Sequence, residues 1–186
     1  MKEVLIGLGS NLGDRAGNIE KALDLVNQQI GQVNARSSWI ESEPWGYQSS
    51  NWFLNRVVVV DFDESLLSSG IKTNTLCNAE NPEYLKAREL LRSLREIETA
   101  SGRVRTVGYT DRMIDLDILF YGNAVIDSQE LTVPHPHLHE RRFILVSLME
   151  LCPDRIHPRL GETIRELMEK CTDRGLVRII KGHGHR

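Results

Sequence analysis

The sequence predicts an α+β protein in which helices pack on an antiparallel or mixed sheet. Apolar, β-branched runs alternate with amphipathic stretches along the chain, but without the long regular pattern of βαβ units. Several predicted strands follow one another closely enough to pair as hairpins. With 186 residues, of which 40% are hydrophobic and 26% charged, the chain can build one domain around a single core.

The first half of the chain contains three predicted strands and one helix. The apolar run 3–9 ends in glycine and is the first strand. Asp14 is the expected N-cap of the helix that follows. The apolar stripe of this helix, at helical spacing, is formed by Ile19, Ala22, Leu23, Val26 and Ile30. Residues 33–42 and the β-branched run 52–62 are strands, and 43–51 is the loop between them.

The second half is richer in loops. Residues 64–83 are polar and irregular, which favours an inserted surface loop over a weak short helix. A charged amphipathic helix is predicted over 84–100, with Leu90, Leu91, Leu94 and Ile97 facing inward. The later elements are a basic loop over 102–112, a strand over 112–121, a proline-rich loop over 133–142, helices near 141–150 and 162–171, and a strand near 176–180. We expect a single domain over 1–181 and a disordered tail over 182–186.

Composition narrows the class of protein. The formal net charge of −3 gives no general reason to expect nucleic acid or an anionic membrane as a partner. Three cysteines without CxxC spacing are expected to be reduced thiols, with neither a disulfide framework nor a zinc site. No signal peptide and no apolar run of membrane-spanning length is present, so a cytoplasmic location is expected.

The stretch RMIDLDILFY combines a buried strand with two acids. Residues two apart on a strand share a face, so Asp115 and Asp117 project together. The opposite face is expected to fill the core with Ile114, Leu116, Ile118 and Phe120. A divalent cation such as Mg²⁺ would relieve the repulsion between the two carboxylates, with phosphate oxygens completing its shell. The alternative is a solvated face or ion pairing with nearby arginines.

Three arginines lie within ten residues upstream, at Arg103, Arg105 and Arg112. Guanidinium groups bind phosphate in a bidentate manner. Arginines beside a carboxylate-bound Mg²⁺ are typical of sites for phosphoryl or pyrophosphoryl transfer. The alternative is ion pairing of these arginines with the two aspartates or with Glu98.

An aromatic group precedes the second long strand. Trp45, Tyr47, Trp52 and Phe53 lie close together, and Asn55 shares a strand face with Phe53. Such a group can stack a flat heterocycle while an amide binds its edge, although ordinary core packing is the alternative. Phe143 could supply the other side of the stack or pack in the core. No Walker A pattern is present, and GLGSNLGD is a weak candidate for a phosphate loop.

The segments GLGSNLGDR, ESEPWGYQSSNWFLN, IETASGRVR, RMIDLDILFYGN and LTVPHPHLHERRFILVSL occur in this order. Together they resemble the 6-hydroxymethyl-7,8-dihydropterin pyrophosphokinase family. The resemblance implies a ferredoxin-like fold, an antiparallel sheet with helices on one face. It implies transfer of pyrophosphate from ATP to 6-hydroxymethyl-7,8-dihydropterin, leaving AMP, with two Mg²⁺ ions bound at Asp115 and Asp117. We expect the protein to be a monomer.

The resemblance also implies roles for individual residues. Arg103 and Arg112 match arginines that engage the phosphates. The nucleotide-side positions are Glu98, Arg105, Ile118, Leu131, Thr132 and His135, although a rigid loop histidine could equally be structural. Phe53 and Phe143 match the two aromatics that sandwich the pterin, and Asn55 matches the side chain that binds its edge. The remaining pterin-side positions are Ser42, Glu43 and Trp45.

One position departs from the family pattern. Family members usually carry proline immediately before the arginine that corresponds to Arg112, whereas this chain has Asp111 there and Tyr109 earlier in the loop. Aspartate lacks the φ restraint of proline and adds an acid beside the arginine. Two other readings of the DxD pattern stay open, a nucleotide-sugar glycosyltransferase and a non-enzymatic ferredoxin-like binding module.

Overall fold

The computed structural model of the chain describes residues 1–63, 65, 81–103, 108 and 110–180. The described elements are β1 (Lys2–Ser10), α1 (Arg15–Gln29), β2 (Gly31–Arg36), β3 (Trp39–Ser42), β4 (Phe53–Phe62), α2 (Pro82–Ala100), β5 (Asp115–Tyr121), β6 (Ile126–Asp127), β7 (Thr132–Val133), a 3₁₀ turn (Leu138–Glu140), α3 (Arg142–Leu151), α4 (Ile164–Lys170) and β8 (Val177–Ile180). Most of the expected insertion 64–83 and the expected tail 182–186 lie outside the described residues.

The main sheet has the order β5-β1-β4-β3-β8, and β2 also pairs with β4. Every described pair in it is antiparallel. Strands β6 and β7 form a separate two-stranded sheet. The two long central strands, β1 and β4, carry the fold because each is paired on both sides and is apolar along most of its length. The expected α+β class and ferredoxin-like fold are confirmed.

Helices cover both faces of this sheet. One apolar cluster joins the sheet to the inward sides of α1 and α2, and a second joins it to α3 and α4. The expectation of helices on one face therefore holds for α1 and α2 only. Helices cover the two faces of the sheet to different extents. Helices α3 and α4 are shorter than α1 and α2, so part of the second face has no helix over it.

The two long helices follow local sequence signals. Asp14 caps α1 as predicted, its carboxylate accepting from the Gly17 N–H at 3.0 Å, and the predicted apolar stripe is buried. Helix α2 begins at Pro82, two residues before its predicted start, because the Asn81 side chain caps it and proline suits the first helical turn. The last two residues of the expected insertion therefore belong to α2.

The predicted strand 33–42 is interrupted. Ser37 is buried between β2 and β3, and its hydroxyl accepts from the Val57 N–H at 3.0 Å. The Val57 N–H therefore donates to a side chain and not to a backbone carbonyl of the neighbouring strand. One predicted strand thus becomes two short ones.

A β-bulge in β5 overturns one predicted orientation. Leu5 pairs with Phe120 and the next residue, Ile6, pairs with Ile118, so Leu119 is the extra residue. Beyond the bulge the alternation is shifted by one. Phe120 therefore packs with Leu119 in the cluster of α3 and α4, and not with Leu116 and Ile118 as predicted.

Two further predictions concern cysteines and membranes. Cys152 and Cys171 are free thiols, and Cys77 lies outside the described residues. Among the helices that the structure describes, none is long and apolar enough to cross a lipid bilayer.

Candidate active site

The floor of the main pocket is made of backbone. Gly7 of β1 pairs with Asp117 of β5, and Gly9 of β1 pairs with Asp115 on one side and Asn55 of β4 on the other. A Cβ on Gly9 would lie 3.0 Å from the Asn55 Oδ1. The glycines leave a depression between Asp115 and Asp117 on β5 and the row of Phe53, Asn55 and Val57 on β4. Sequence reasoning missed this role, although two glycines at alternate positions of an apolar strand are a signal of close backbone approach.

The walls of this pocket bring together the residues expected on the pterin side. The expected residues that line it are Ser42, Glu43, Trp45, Phe53, Asn55 and Phe143. The Asn55 Nδ2 donates to the Ser42 Oγ at 3.0 Å and to the Ile40 carbonyl at 3.3 Å, so its side chain is held in one orientation. Its other amide atom, Oδ1, lies above the glycine floor.

The predicted aromatic group is divided. Trp45, Tyr47 and Phe53 line the pocket. Trp52 lies elsewhere, with the Arg178 guanidinium 4.7 Å from its ring centroid. Three of the four aromatics are thus available to a ligand, and the fourth packs on the surface beside β8.

Arginines surround the two aspartates. The Arg103 Nη1 lies 2.5 Å from the Asp115 Oδ1, and the Arg112 Nη1 lies 3.1 Å from its Oδ2. The Arg141 Nη1 lies 3.5 Å from the Asp117 Oδ2. The ion pairs considered as an alternative from sequence are therefore present. The same guanidinium groups are within reach of an anion bound over the aspartates.

Burial raises the pKa of both Asp115 and Asp117 above the ordinary aspartate value. The neighbouring Asp117 charge adds to this rise at Asp115, while the arginines oppose it at both residues. A pair of carboxylates whose charges are mutually unfavourable is suited to share a cation.

The residues present fit Mg²⁺ held jointly with a ligand. In the described part of the chain, no group of three or more His, Cys, Asp and Glu side chains assembles for a metal. Mg²⁺ in phosphoryl-transfer sites takes one or two carboxylates and completes its shell with phosphate oxygens and water. Asp115 and Asp117 match that donor set.

A second pocket adjoins the first. The residues expected on the nucleotide side that line it are Ile118, Leu131, Thr132 and His135. Asp117 lines both pockets and so stands at the junction between them. Burial, with the Arg141 and His137 charges, lowers the pKa of His135 to about 3. A neutral imidazole therefore lies 3.8 Å from the Asp117 carboxylate at physiological pH.

Glu98, another residue expected on the nucleotide side, does not line this second pocket. Glu98 is buried under Arg103, pairs with its guanidinium, and accepts from the Leu116 N–H at 2.9 Å. It supports Arg103 and the start of β5 from below. Arg105 lies outside the described residues.

Arg141 is a site residue that sequence reasoning missed. Its guanidinium reaches Asp117 and lies 4.8 Å from the Trp45 ring centroid, so it spans the carboxylate and the aromatic wall. The available signal was the pair of arginines in HERRF, which directly precedes Phe143. The sequence alone does not separate Arg141 from Arg142, because that depends on where α3 begins.

Comparison with known proteins agrees with this geometry. Residues 5–153 match the family model described as 7,8-dihydro-6-hydroxymethylpterin-pyrophosphokinase (HPPK). The chain belongs to the HPPK family. A 2-amino-4-hydroxy-6-hydroxymethyldihydropteridine pyrophosphokinase of Methylorubrum extorquens is 34% identical, over 96% of this chain and 99% of the relative. The protein of the same description from Aquifex aeolicus is 32% identical, over 97% of this chain and 99% of its own.

Other proteins similar to this chain are longer. The folic acid synthesis protein fol1 of Schizosaccharomyces pombe is 32% identical over 94% of this chain, but this chain spans only 21% of it. A crystal structure of Plasmodium falciparum HPPK-DHPS superposes with a TM-score of 0.63 at 17% identity, covering 91% of this chain and 43% of that one. At that identity the superposition bears on the fold alone.

Proposed function

We propose that this protein transfers pyrophosphate from ATP to 6-hydroxymethyl-7,8-dihydropterin, giving the pterin diphosphate and AMP for folate biosynthesis. The observation that carries the proposal is the position of Asp117, which faces an aromatic pocket on one side and a second pocket on the other. Membership of the HPPK family supports the same assignment. Both pockets are formed by one chain, so we propose that a monomer suffices.

The pterin would occupy the aromatic pocket. Phe53 and Phe143 would stack on its two faces, because flat rings gain most from offset stacking and apolar burial. Asn55 would bind the ring edge through an amide already oriented by Ser42. Glu43 and Trp45 would close the pocket from the loop between β3 and β4.

ATP would occupy the second pocket, with its phosphates over the aspartates. Ile118 and Leu131 offer apolar contacts for the base, while Thr132 and neutral His135 offer polar ones. Arg105 would act on the same side. Glu98 would act indirectly, by holding Arg103 where the phosphates arrive.

Asp115 and Asp117 would hold Mg²⁺, and we propose two ions. The ions would screen the charge of the triphosphate and of the attacking oxygen. Arg103, Arg112 and Arg141 would then exchange their carboxylate partners for phosphate oxygens. The buried Nε of Arg112 has no hydrogen-bond partner among the described residues, so this side chain retains a donor for such a ligand.

The main task of the protein in this reaction would be to position the two substrates. The pterin hydroxyl oxygen forms a bond to the β-phosphorus of ATP, the bond from that phosphorus to the α,β-bridging oxygen breaks, and AMP leaves while the hydroxyl proton is lost. Alignment of the two substrates and neutralisation of charge supply most of the acceleration. Walls that exclude water favour transfer over hydrolysis of ATP.

A product assay tests the proposal. The purified protein is incubated with ATP, Mg²⁺ and 6-hydroxymethyl-7,8-dihydropterin, and the nucleotides are separated by chromatography. We expect AMP in proportion to the pterin consumed, and a loss of at least about 100-fold in Asp117→Asn, a typical loss when a group that stabilises transferring charge is removed. ADP as the product, or nucleotide turnover independent of the pterin, would refute the proposal.

A further inference from the structure

The carboxylate of Asp111 accepts four hydrogen bonds from side chains. Its Oδ1 accepts from the Asn11 Nδ2 at 2.7 Å and from the Tyr47 hydroxyl at 3.1 Å. Its Oδ2 accepts from the Ser49 hydroxyl at 3.0 Å and from the Asn51 Nδ2 at 2.6 Å. Three of the four donors belong to the loop between β3 and β4, which also carries Trp45.

The fourth donor, Asn11, holds the neighbouring arginine as well. The Arg112 N–H donates to the Asn11 Oδ1 at 2.7 Å, and the Asn11 N–H donates to the Arg112 carbonyl at 3.1 Å. The Arg112 guanidinium forms an ion pair with Asp115 and lies 5.6 Å from the Phe53 ring centroid. The aromatic loop and the base of Arg112 therefore share one anchor at the end of β1.

The arrangement requires a carboxylate. An ionised carboxylate only accepts hydrogen bonds, and it can take two at each oxygen. Burial acts to raise the pKa of Asp111, but its hydrogen bonds outweigh this and hold the pKa below the ordinary value. Asparagine would direct an NH₂ group at two donors, and the proline usual in the family at this position would accept nothing through its side chain.

We infer that Asp111 is a positioning residue that ties the pterin-side loop to Arg112, so that the loop and the phosphate-facing arginine are set together. The inference rests on the proposed function, since it assigns Asp111 to the coupling of the two substrate sites. Asp111 itself does not line either pocket. Its effect passes through Tyr47 and the loop on one side and through Asn11 and Arg112 on the other.

The test is Asp111→Asn, with Asp24→Asn as the matched control. Asp24 is exposed on α1, and its carboxylate has no hydrogen bond or ion pair among the described residues. We expect kcat/KM for the pterin to fall by about 10- to 100-fold in Asp111→Asn, because charge-assisted bonds are lost and two donors face an amide. Calorimetric binding of a Mg²⁺-bound non-hydrolysable ATP analogue should fall by a clearly smaller factor, because Asn11 still holds the Arg112 main chain. Asp24→Asn should match the wild type.

A second variant removes donors and keeps the acid. Ser49→Ala/Asn51→Ala should lower kcat/KM for the pterin in the same direction, and its combination with Asp111→Asn should lose less than the product of the two losses. This variant also serves if Asp111→Asn fails to fold. Wild-type behaviour of both variants, independent effects, or an equal loss of analogue and pterin binding would overturn the inference. Absence of AMP production by the wild type would instead refute the proposed function.

Discussion

Gly9 is a single position that determines the shape of the pocket floor. The residue has no side chain, and its place in β1 lets Asn55 and Phe53 approach from β4 while Asp115 stands on β5. The strand conformation itself would accept alanine, so the constraint is one of space. The shape of the pocket thus depends on the absence of a Cβ atom at position 9.

Replacing the two floor glycines in turn tests this dependence. A Cβ at position 9 would lie 3.0 Å from the Asn55 Oδ1, whereas one at position 7 would meet Leu119 at an ordinary 3.5 Å. We expect Gly9→Ala to weaken pterin binding by about tenfold or more, since the displaced amide loses part of its contact with the ring edge. Gly7→Ala should weaken it less. Calorimetry with the pterin measures both, and an equal or reversed order would contradict the prediction.

Residue types were predictable at the site, but several contacts were not. Asp115, Asp117, Phe53 and Asn55 could be chosen from alternation along strands, because side chains two residues apart share a face. Arg141 and the network of Asp111 could not, because their partners are distant in sequence. Their roles depend on which segments the fold brings together.

At the scale of elements, helices were predicted more accurately than strand irregularities. The N-cap and apolar stripe of α1 are local signals, and the structure has both. The break at Ser37 and the bulge at Leu119 depend on the partner strands β4 and β1, whose register a single segment does not specify. The two-residue strands β6 and β7 are too short to leave a pattern.

The turn that leads into α4 is sensitive to pH. His157 is buried, and its Nδ1 is placed to accept from the Arg159 N–H at 3.3 Å and the Leu160 N–H at 3.2 Å. Burial, and secondarily the His139 charge, lowers the pKa of His157 to about 4. Unfolding restores an ordinary pKa of about 6.5, so the unfolded chain binds the proton more readily. The stabilisation is complete above about pH 6.5 and is lost as pH falls toward 4.

His157→Asn should remove this part of the pH dependence. Asparagine can accept from the same turn without taking up a proton. We expect the free energy of unfolding of the wild type to fall between pH 6.5 and 4.5 more steeply than that of the variant, by no more than about 3 kcal/mol. Urea denaturation at several pH values measures the difference. Parallel slopes for the two proteins would show that His157 does not titrate in this range.

At the scale of the whole molecule, one sheet serves two purposes. Its first face buries α1 and α2 in the larger apolar cluster, while its second face holds α3, α4 and the site. The fold class was predictable because alternating short strands and amphipathic helices leave few arrangements. The division of the helices between the faces was not, because it depends on how α3 and α4 return to the sheet.

This arrangement predicts that nucleotide binding depends on magnesium. Without a divalent cation, the triphosphate would face the carboxylates of Asp115 and Asp117 and be repelled. A non-hydrolysable ATP analogue with Mg²⁺ at about 100 times its Kd should stabilise the protein by about 2.7 kcal/mol. With a chelator present, the same analogue should give a much smaller rise in Tm, and Mg²⁺ alone is the control. Equal rises in Tm with and without the chelator would contradict this prediction.

The glycine floor also limits which new ligands the pocket could be made to accept by substitution. A cavity bounded below by main chain is already as deep as the strand allows at Gly7 and Gly9. Substitution there can make it shallower, but no side chain can be removed to deepen it. A variant that accepts a bulkier heterocycle would therefore have to be sought in the walls, by shortening Phe53, Phe143 or Trp45. Those aromatics are also the source of stacking, so a broader choice of ligand would come with weaker binding of each.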